Sequence, residues 1–500
     1  MRNMNKFNEE ILSPLFSVIQ EKPERRAFFI AEKYYTYRQL GQVIAGIRQV
    51  ISDLKIEDPN VALVVNDDLE TYASIIALWM EGKGYVPLHP RQPLERCMEI
   101  VSQVHCSLIF DSSENSRYKG QVVRTMGLVG CTDALQLKEN APGEGLAYIL
   151  FTSGSTGKPK GVSVSRENLA AFVRAFHRTG IQLTQEDRCL QCFDLTFDVS
   201  VESFLVPLLA GACVYTVPHD QIKWSYVYGL LEDHKITFGA MAPSMLRYLR
   251  PYFAEMNLPD MRYCILTAEA SPYELVREWS LCVPQAVIYD FYGPTEATIY
   301  CTYYSYDRSD KTKTLNGLLS IGKPMEGVKA IILDESKNCL AAGEKGELCI
   351  AGEQLTPGYW ENPEKNEEAF FEFRIDGKDQ RFYHTGDLCY IDEDGDIMYA
   401  GRLDFQAKIQ GYRVELGEIE YHVREFLKGT NAVALAYENK HGNTEIGLVI
   451  EKEKNGTTDL IAFLKTKLPA YMLPGKIEFL PVFPLNTNSK VDRKALKELF

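Results

Sequence analysis

The segment YILFTSGSTGKPKGV, Tyr148 to Val162, joins an apolar run to a loop suited to phosphate. Thr152, Ser153, Gly154, Ser155, Thr156 and Gly157 supply hydroxyls and backbone N–H groups, and Lys158 and Lys160 supply positive charge. A polyphosphate needs both. The loop is not a Walker P-loop, because Gly154 stands too close to Gly157-Lys158 for GxxxxGK[ST] and Pro159 follows the lysine. A structural turn is the alternative for a bare Gly-Ser-Thr cluster, and the two lysines weigh against it.

Four further groups carry chemistry. In Asp290-Phe-Tyr-Gly-Pro-Thr-Glu296 a Gly-Pro turn draws an aromatic ring, a hydroxyl and a carboxylate together. Tyr383-His-Thr-Gly-Asp387-Leu388 offers an Asp that can accept two hydrogen bonds, or serve only as a β-turn residue. In Phe193-Asp-Leu-Thr-Phe-Asp198-Val-Ser-Val-Glu202 an Asp amid apolar residues signals a cation or donors nearby, unless Asp194 or Asp198 merely caps a helix. Lys490, in Asn486-Thr-Asn-Ser-Lys490-Val-Asp-Arg493, taken alone is a solvated surface charge.

These groups need a scaffold. Apolar runs such as Val61–Val65, Ser107–Phe110, Tyr148–Phe151, Cys213–Val217 and Ala286–Tyr289 read as buried strands alternating with helical patterns. After Ser165, an N-cap residue, Leu169, Phe172, Val173 and Phe176 fall on one helix face. The alternation predicts α/β layers with largely parallel sheets. From about 323 to 399 the texture shifts to short strands, including Gly346–Ala351 and Ile397–Ala400, which predicts a compact β subdomain. Residues 403–500 read as a small α+β domain, with a helix over 418–428 and a hairpin of Ala432–Tyr437 with Glu445–Glu451. Gly401-Arg402-Leu403-Asp404 joins it to residues 1–402 and reads as a hinge.

Five hundred residues with 45% apolar content exceed a single core. A net charge of −14 argues against nucleic acid as the main partner, so an anionic ligand must be met by local cations. Glu9 and Glu10 interrupt any signal-peptide core and no apolar run reaches spanning length, which predicts a cytoplasmic chain without a membrane span. The 12 scattered cysteines fit reduced thiols, and the single CxxC, Cys189 and Cys192, lacks partners at metal-ligand spacing.

Taken together and in this order, the motifs resemble those of the adenylate-forming superfamily over nearly the whole chain, in particular stand-alone amino-acid adenylation enzymes such as D-alanine:carrier-protein ligases. The resemblance implies that residues 152–158 hold the nucleotide's phosphates, that Tyr292 stacks on adenine beside Asp290 and Phe291, and that Thr295 contacts the α-phosphate. It implies that Glu296 helps hold Mg²⁺, Asp387 takes the ribose hydroxyls, Arg402 lies near ribose and phosphate, Asp404 is the pivot, and Lys490 bridges the substrate carboxylate and α-phosphate. A lysine there lowers the repulsion between two anions, and an ionised carboxylate needs no general base.

By the same resemblance Asp198 pairs with a substrate α-ammonium, and Val199, Glu202, Ala240, Ile265, Thr267, Phe291, Ile299 and Tyr300 line the side-chain pocket. The bulk of Phe291 and Tyr300 implies a small or medium substrate. Glu202 favours a cationic or polar side chain if it faces the pocket, and is a surface charge if it turns outward. Departures from the family pattern are Asp290 for Asn, His384 for a basic residue, and Thr267-Ala268-Glu269 for Gly-Gly-Glu. The expected function is ATP-dependent formation of an aminoacyl-AMP, then transfer to the phosphopantetheine thiol of a separate carrier protein, since the chain ends at Phe500. Alternatives are transfer to coenzyme A or an amine, and an inactive nucleotide-binding interaction protein.

Overall fold

The computed structural model describes residues 6–132, 135, 145–154, 158–309, 311–375, 377–404, 406–453, 457–485 and 491–500. Ser155, Thr156, Gly157 and Lys490 lie outside the described residues. Two compact units are present. One holds Met1–Pro90, Val104–Leu150 and Gly161–Gly401; the other holds Arg91–Gln103, Phe151–Lys160 and Arg402–Phe500.

A nine-stranded sheet of the first unit runs Lys323–Pro324, Thr302–Ser305, Val287–Tyr292, Tyr263–Leu266, Phe238–Met241, Arg188–Gln191, Cys213–Thr216, Arg26–Ile30 and Lys33–Thr36. Its six inner strands are parallel, from Val287–Tyr292 to Arg26–Ile30. Antiparallel strands close both edges. Parallel strands are buried on both faces and read as continuous apolar runs, which is why Cys213–Thr216 and Phe238–Met241 are wholly buried. A seven-stranded sheet contains Asn60–Val64, Gly84–Leu88 and Leu146–Thr152 at its centre, and an antiparallel sheet gathers Val328–Leu333, Gly346–Gly352, Lys378–Ile391 and Phe370–Ile375.

Local signals account for the helices that matter here. Ser165 caps Arg166–Phe176 through a reciprocal capping box with Asn168, and Leu169, Phe172, Val173 and Phe176 are all buried. The Asp198–Ala210 helix ends at Gly211 with φ +76°, a left-handed cap that glycine adopts without a Cβ penalty. Every residue from Asp198 to Leu208 is buried, so this helix has no solvent face.

In the second unit, Leu416–Phe426 and Thr458–Lys467 accompany a three-stranded sheet of Ala432–Glu438, Thr444–Glu451 and Lys476–Leu480. The expected hairpin is there, antiparallel, with Ala432 opposite Ile450. Gln406–Ile409 and Tyr412–Glu415 form a separate hairpin whose turn residues, Gln410 and Gly411, both have positive φ. None of the 12 cysteines is in a disulfide, and only Cys131 and Cys339 are exposed. Among the described residues no helix is long and apolar enough to cross a membrane.

Candidate active site

The carboxyl ends of parallel strands are where open α/β sheets bind ligands. Ala240 and Ile265 lie side by side in neighbouring strands, both buried, and Ile265 in turn faces Tyr289. Thr267 directly follows its strand, and Asp290, Phe291 and Tyr292 are the last residues of theirs. Ala268 has φ +68°, a conformation that favours glycine, so a physical reason exists for Gly at this position of the resembled motif.

The Gly293–Glu296 turn is built under strain. A Cβ at Gly293 would collide with the backbone of Ile299 and Tyr300. Thr298 and Ile299, both β-branched, have φ of +55° and +69°. Such residues stay left-handed only where surrounding bonds over-determine them. Gln354 does this: its amide donates to the Tyr300 carbonyl at 2.6 Å and the Thr298 carbonyl at 3.2 Å, while the Thr298 hydroxyl donates to the Gln354 carbonyl at 2.6 Å. Glu296 is fully buried, accepts from the Tyr359 hydroxyl at 2.7 Å, and its carbonyl accepts from Thr356 N–H at 2.9 Å. Gln354, Thr356 and Tyr359 escaped the sequence reading, because their roles depend on a chain return some sixty residues later.

At one end of this turn Tyr292 donates to Asp387 Oδ2 at 2.5 Å. Thr385 orients Asp387, accepting its N–H at 3.0 Å and donating to the Leu348 carbonyl. Asp290 accepts from the Ser271 hydroxyl at 2.8 Å, a partner the sequence reading did not supply. His384, standing where a basic residue is usual, bonds Glu347 through Nδ1 at 2.8 Å.

At the other end lie Asp198 and Glu202. Burial pushes the Asp198 carboxyl up to about 7; the Thr295 hydroxyl and the Val199 and Ile299 N–H groups favour its charged form, and Glu296 opposes it. Its Oδ2 has no hydrogen-bond partner among the described residues. Asp194 is the local cap of this segment, accepting from Thr196 N–H and hydroxyl and paired with His89 at 2.9 Å. Glu202 is fully buried, so it is not a surface charge, and burial pushes it up to about 8. Thr267 and Glu202 face the Tyr300 hydroxyl, yet neither closes a hydrogen bond of normal geometry with it. Phe291 packs on Tyr300 with centroids 4.9 Å apart. Val199 and Ile299 are buried beside them.

The second unit holds the remaining motif residues. Ser153 donates to the Arg413 carbonyl at 3.0 Å and accepts from Glu415 N–H at 2.9 Å. Gly154 N–H donates to Glu418 Oε2 at 3.0 Å, and Arg96 reaches Glu418 Oε1 at 2.5 Å. A Cβ at Gly154 would strike the Lys158 carbonyl. Thr152 is half-buried, and Lys158 is exposed. Arg402 pairs with Asp404, Nε to Oδ1 at 2.9 Å; burial raises the Asp404 carboxyl, but Arg402 outweighs it and holds the carboxyl below its ordinary range.

The pattern of the AMP-binding enzymes matches residues 15–360. The chain belongs to the AMP-binding enzyme family. A relative of this family, the D-alanine--D-alanyl carrier protein ligase of Lactococcus lactis subsp. lactis (strain IL1403), is 30% identical over 511 residues, covering 98% of this chain and 99% of that one. Tyrocidine synthase 3 of Brevibacillus parabrevis is 32% identical over 485 residues, which are 95% of this chain but 7% of the relative's length. Among solved structures, the Vibrio cholerae adenylation domain AlmE in complex with glycyl-adenosine-5'-phosphate superposes with a TM-score of 0.86 at 25% identity, covering 98% of this chain and 97% of that one. The AMP-binding fold therefore spans almost the whole chain.

Proposed function

We propose that this AMP-binding enzyme activates an amino acid as its aminoacyl adenylate and delivers it to the phosphopantetheine thiol of a carrier protein. The observation that carries the amino-acid side is Asp198: a buried carboxyl, one oxygen without a hydrogen-bond partner among the described residues, beside the Thr295–Glu296 turn. Burying a carboxylate is costly unless a cation or donors meet it, and an α-ammonium is such a cation. The ligase and synthase names of the relatives, and the glycyl adenylate in the similar structure, support the same reading.

In this reading the substrate carboxylate attacks the α-phosphorus of ATP, forming the mixed anhydride and releasing pyrophosphate. Tyr292, Asp387 and Asp290 would hold the nucleoside, and Thr152 to Lys158 the phosphates. The charge of Glu296 raises the cost of ionising Asp198, so this setting suits a cation. Glu296 would hold Mg²⁺, a hard ion that prefers carboxylate and phosphate oxygens and neutralises phosphate charge. Lys490 would bridge the two reacting anions. Residues 403–500 would then turn about Asp404, withdraw Lys490 and present Lys408–Gly411 to the thiol, a second use of the same pocket. Asp404→Pro is expected to impair thiol transfer more than adenylation.

Amino-acid-dependent ATP–pyrophosphate exchange across L- and D-amino acids, fatty acids and aryl acids tests the proposal, with Lys490→Ala alongside. Exchange with one or a few amino acids, lost in the variant, is expected. Activity only with acids lacking an amino group would overturn the role given to Asp198. Loading of a holo carrier protein against coenzyme A and simple amines then decides the acceptor.

A further inference from the structure

Two carboxylates, not one, lie a helical turn apart on the buried Asp198–Ala210 helix. Residues four apart on a helix stand one above the other, with Cβ atoms about 5–6 Å apart. Asp198 is 6% exposed and Glu202 0%. Asp198 Oδ2 and Glu202 Oε1 both lack a hydrogen-bond partner among the described residues, and so does the fully buried Tyr300 hydroxyl beside them. The remaining oxygen of Glu202 is weakly served. Ser203 Oγ lies 3.1 Å from Glu202 Oε2 and 3.0 Å from the Val199 carbonyl, and one hydroxyl proton cannot satisfy both. The main groups acting on the two carboxyls are hydroxyls, backbone N–H groups and Glu296, none of them a cation.

A single α-ammonium satisfies Asp198 alone. It leaves Glu202, one helical turn away, buried and unmatched, at the cost expected for a half-satisfied polar network. A second positive nitrogen on the substrate side chain removes that cost. Tyr300, whose hydroxyl acts on Glu202, is held in place by packing on Phe291 at 4.9 Å and on Phe172 at 5.9 Å. Two ammonium groups bonded to carboxylates of this spacing stand about 5–7 Å apart, a separation matched by side chains of about two or three methylenes.

Resting on the amino-acid-activating reading above, we propose that the substrate is a short diamino acid, its α-ammonium held by Asp198 and its side-chain ammonium by Glu202 and Tyr300. The class is that of 2,4-diaminobutyrate and ornithine. Glu202 is then the specificity-determining residue, and neutral isosteres of the same length are rejected because they leave its carboxyl buried without a partner.

The test measures exchange with 2,4-diaminobutyrate, ornithine, norvaline, glutamine and threonine, for the wild-type chain and Glu202→Gln. Expected is a preference for a diamino acid over norvaline of about 100-fold or more in kcat/KM, falling at least about 30-fold in the variant. As a reading independent of turnover, ornithine or 2,4-diaminobutyrate without ATP should raise the wild-type melting temperature more than norvaline does, and this difference should vanish in Glu202→Gln. Wild-type preference for norvaline, glutamine or threonine overturns the inference while leaving amino-acid activation standing. So does an unchanged ornithine-to-norvaline ratio in the variant. Should Glu202→Gln fail to fold, the wild-type ratio alone decides. Exchange with no amino acid at all removes the parent reading and this one with it.

Discussion

Two acidic groups of the first unit are handled in opposite ways. Asp392, Asp394 and Asp396 converge on Lys313 Nζ at 2.6, 2.7 and 2.7 Å, and Asp392 Oδ1 also accepts from the N–H groups of Asp394 and Asp396. Asp198 and Glu202 keep an oxygen each without a hydrogen-bond partner among the described residues. Asp-x-Asp-Gly-Asp sets three carboxylates close together in the chain. Its cation is a lysine of the chain itself, brought from eighty residues away, so the group is a finished piece of structure. The helical pair is unfinished. The difference lies in satisfaction, not in charge: a saturated cluster stabilises the fold, and an orphaned one awaits a partner.

The sharpest way to break this contrast is Asp198→Asn. Removing the charge should lower kcat/KM for the amino acid about 100-fold or more, with the melting temperature unchanged or raised. A variant that loses stability instead would make Asp198 a structural residue like Asp392.

Next comes pH. Burial raises the Glu202 carboxyl to about 8. The folded state therefore keeps a proton that the unfolded chain releases near its ordinary carboxylate value, and stability falls as pH climbs between the two. Glu202→Gln should gain on wild type by about 4 kcal/mol between pH 5 and pH 9, read by denaturant unfolding at both pH values. Asp198 titrates in both chains and cancels in the comparison.

Lys313→Met sharpens the other side. It leaves three carboxylates facing one another and should cost about 1–2 kcal/mol of stability, with KM for amino acid and ATP unchanged. Smallest is Ala268→Gly, which relieves a left-handed alanine and should change stability by less than about 1 kcal/mol in the favourable direction.

Much of this was legible in the chain. The parallel strands announced themselves as apolar runs, with boundaries shifted by a residue or two: 107–110 was expected where Ile109–Asp111 forms. Ser165 declared its helix because capping is local chemistry. The site was legible as far as its motif residues go. What the sequence withheld were the supports, Gln354 and Tyr359 for the Thr295–Glu296 turn, Ser271 for Asp290 and Thr385 for Asp387. Each acts through long-range return of the chain or through a backbone carbonyl, and neither leaves a spacing to read. Whether Glu202 faced inward was also undecidable from periodicity, since the helix carrying it is buried all round.

The central claim is that Asp198 is unfinished because a substrate ammonium completes it. The most direct measurement compares exchange for the preferred amino acid and its α-hydroxy analogue in wild type and Asp198→Asn. A wild-type preference of about 100-fold or more for the amino acid, collapsing to within about 10-fold in the variant, is the predicted result. Equal use of both acids by the wild-type chain, or a preference that survives the substitution, would contradict it.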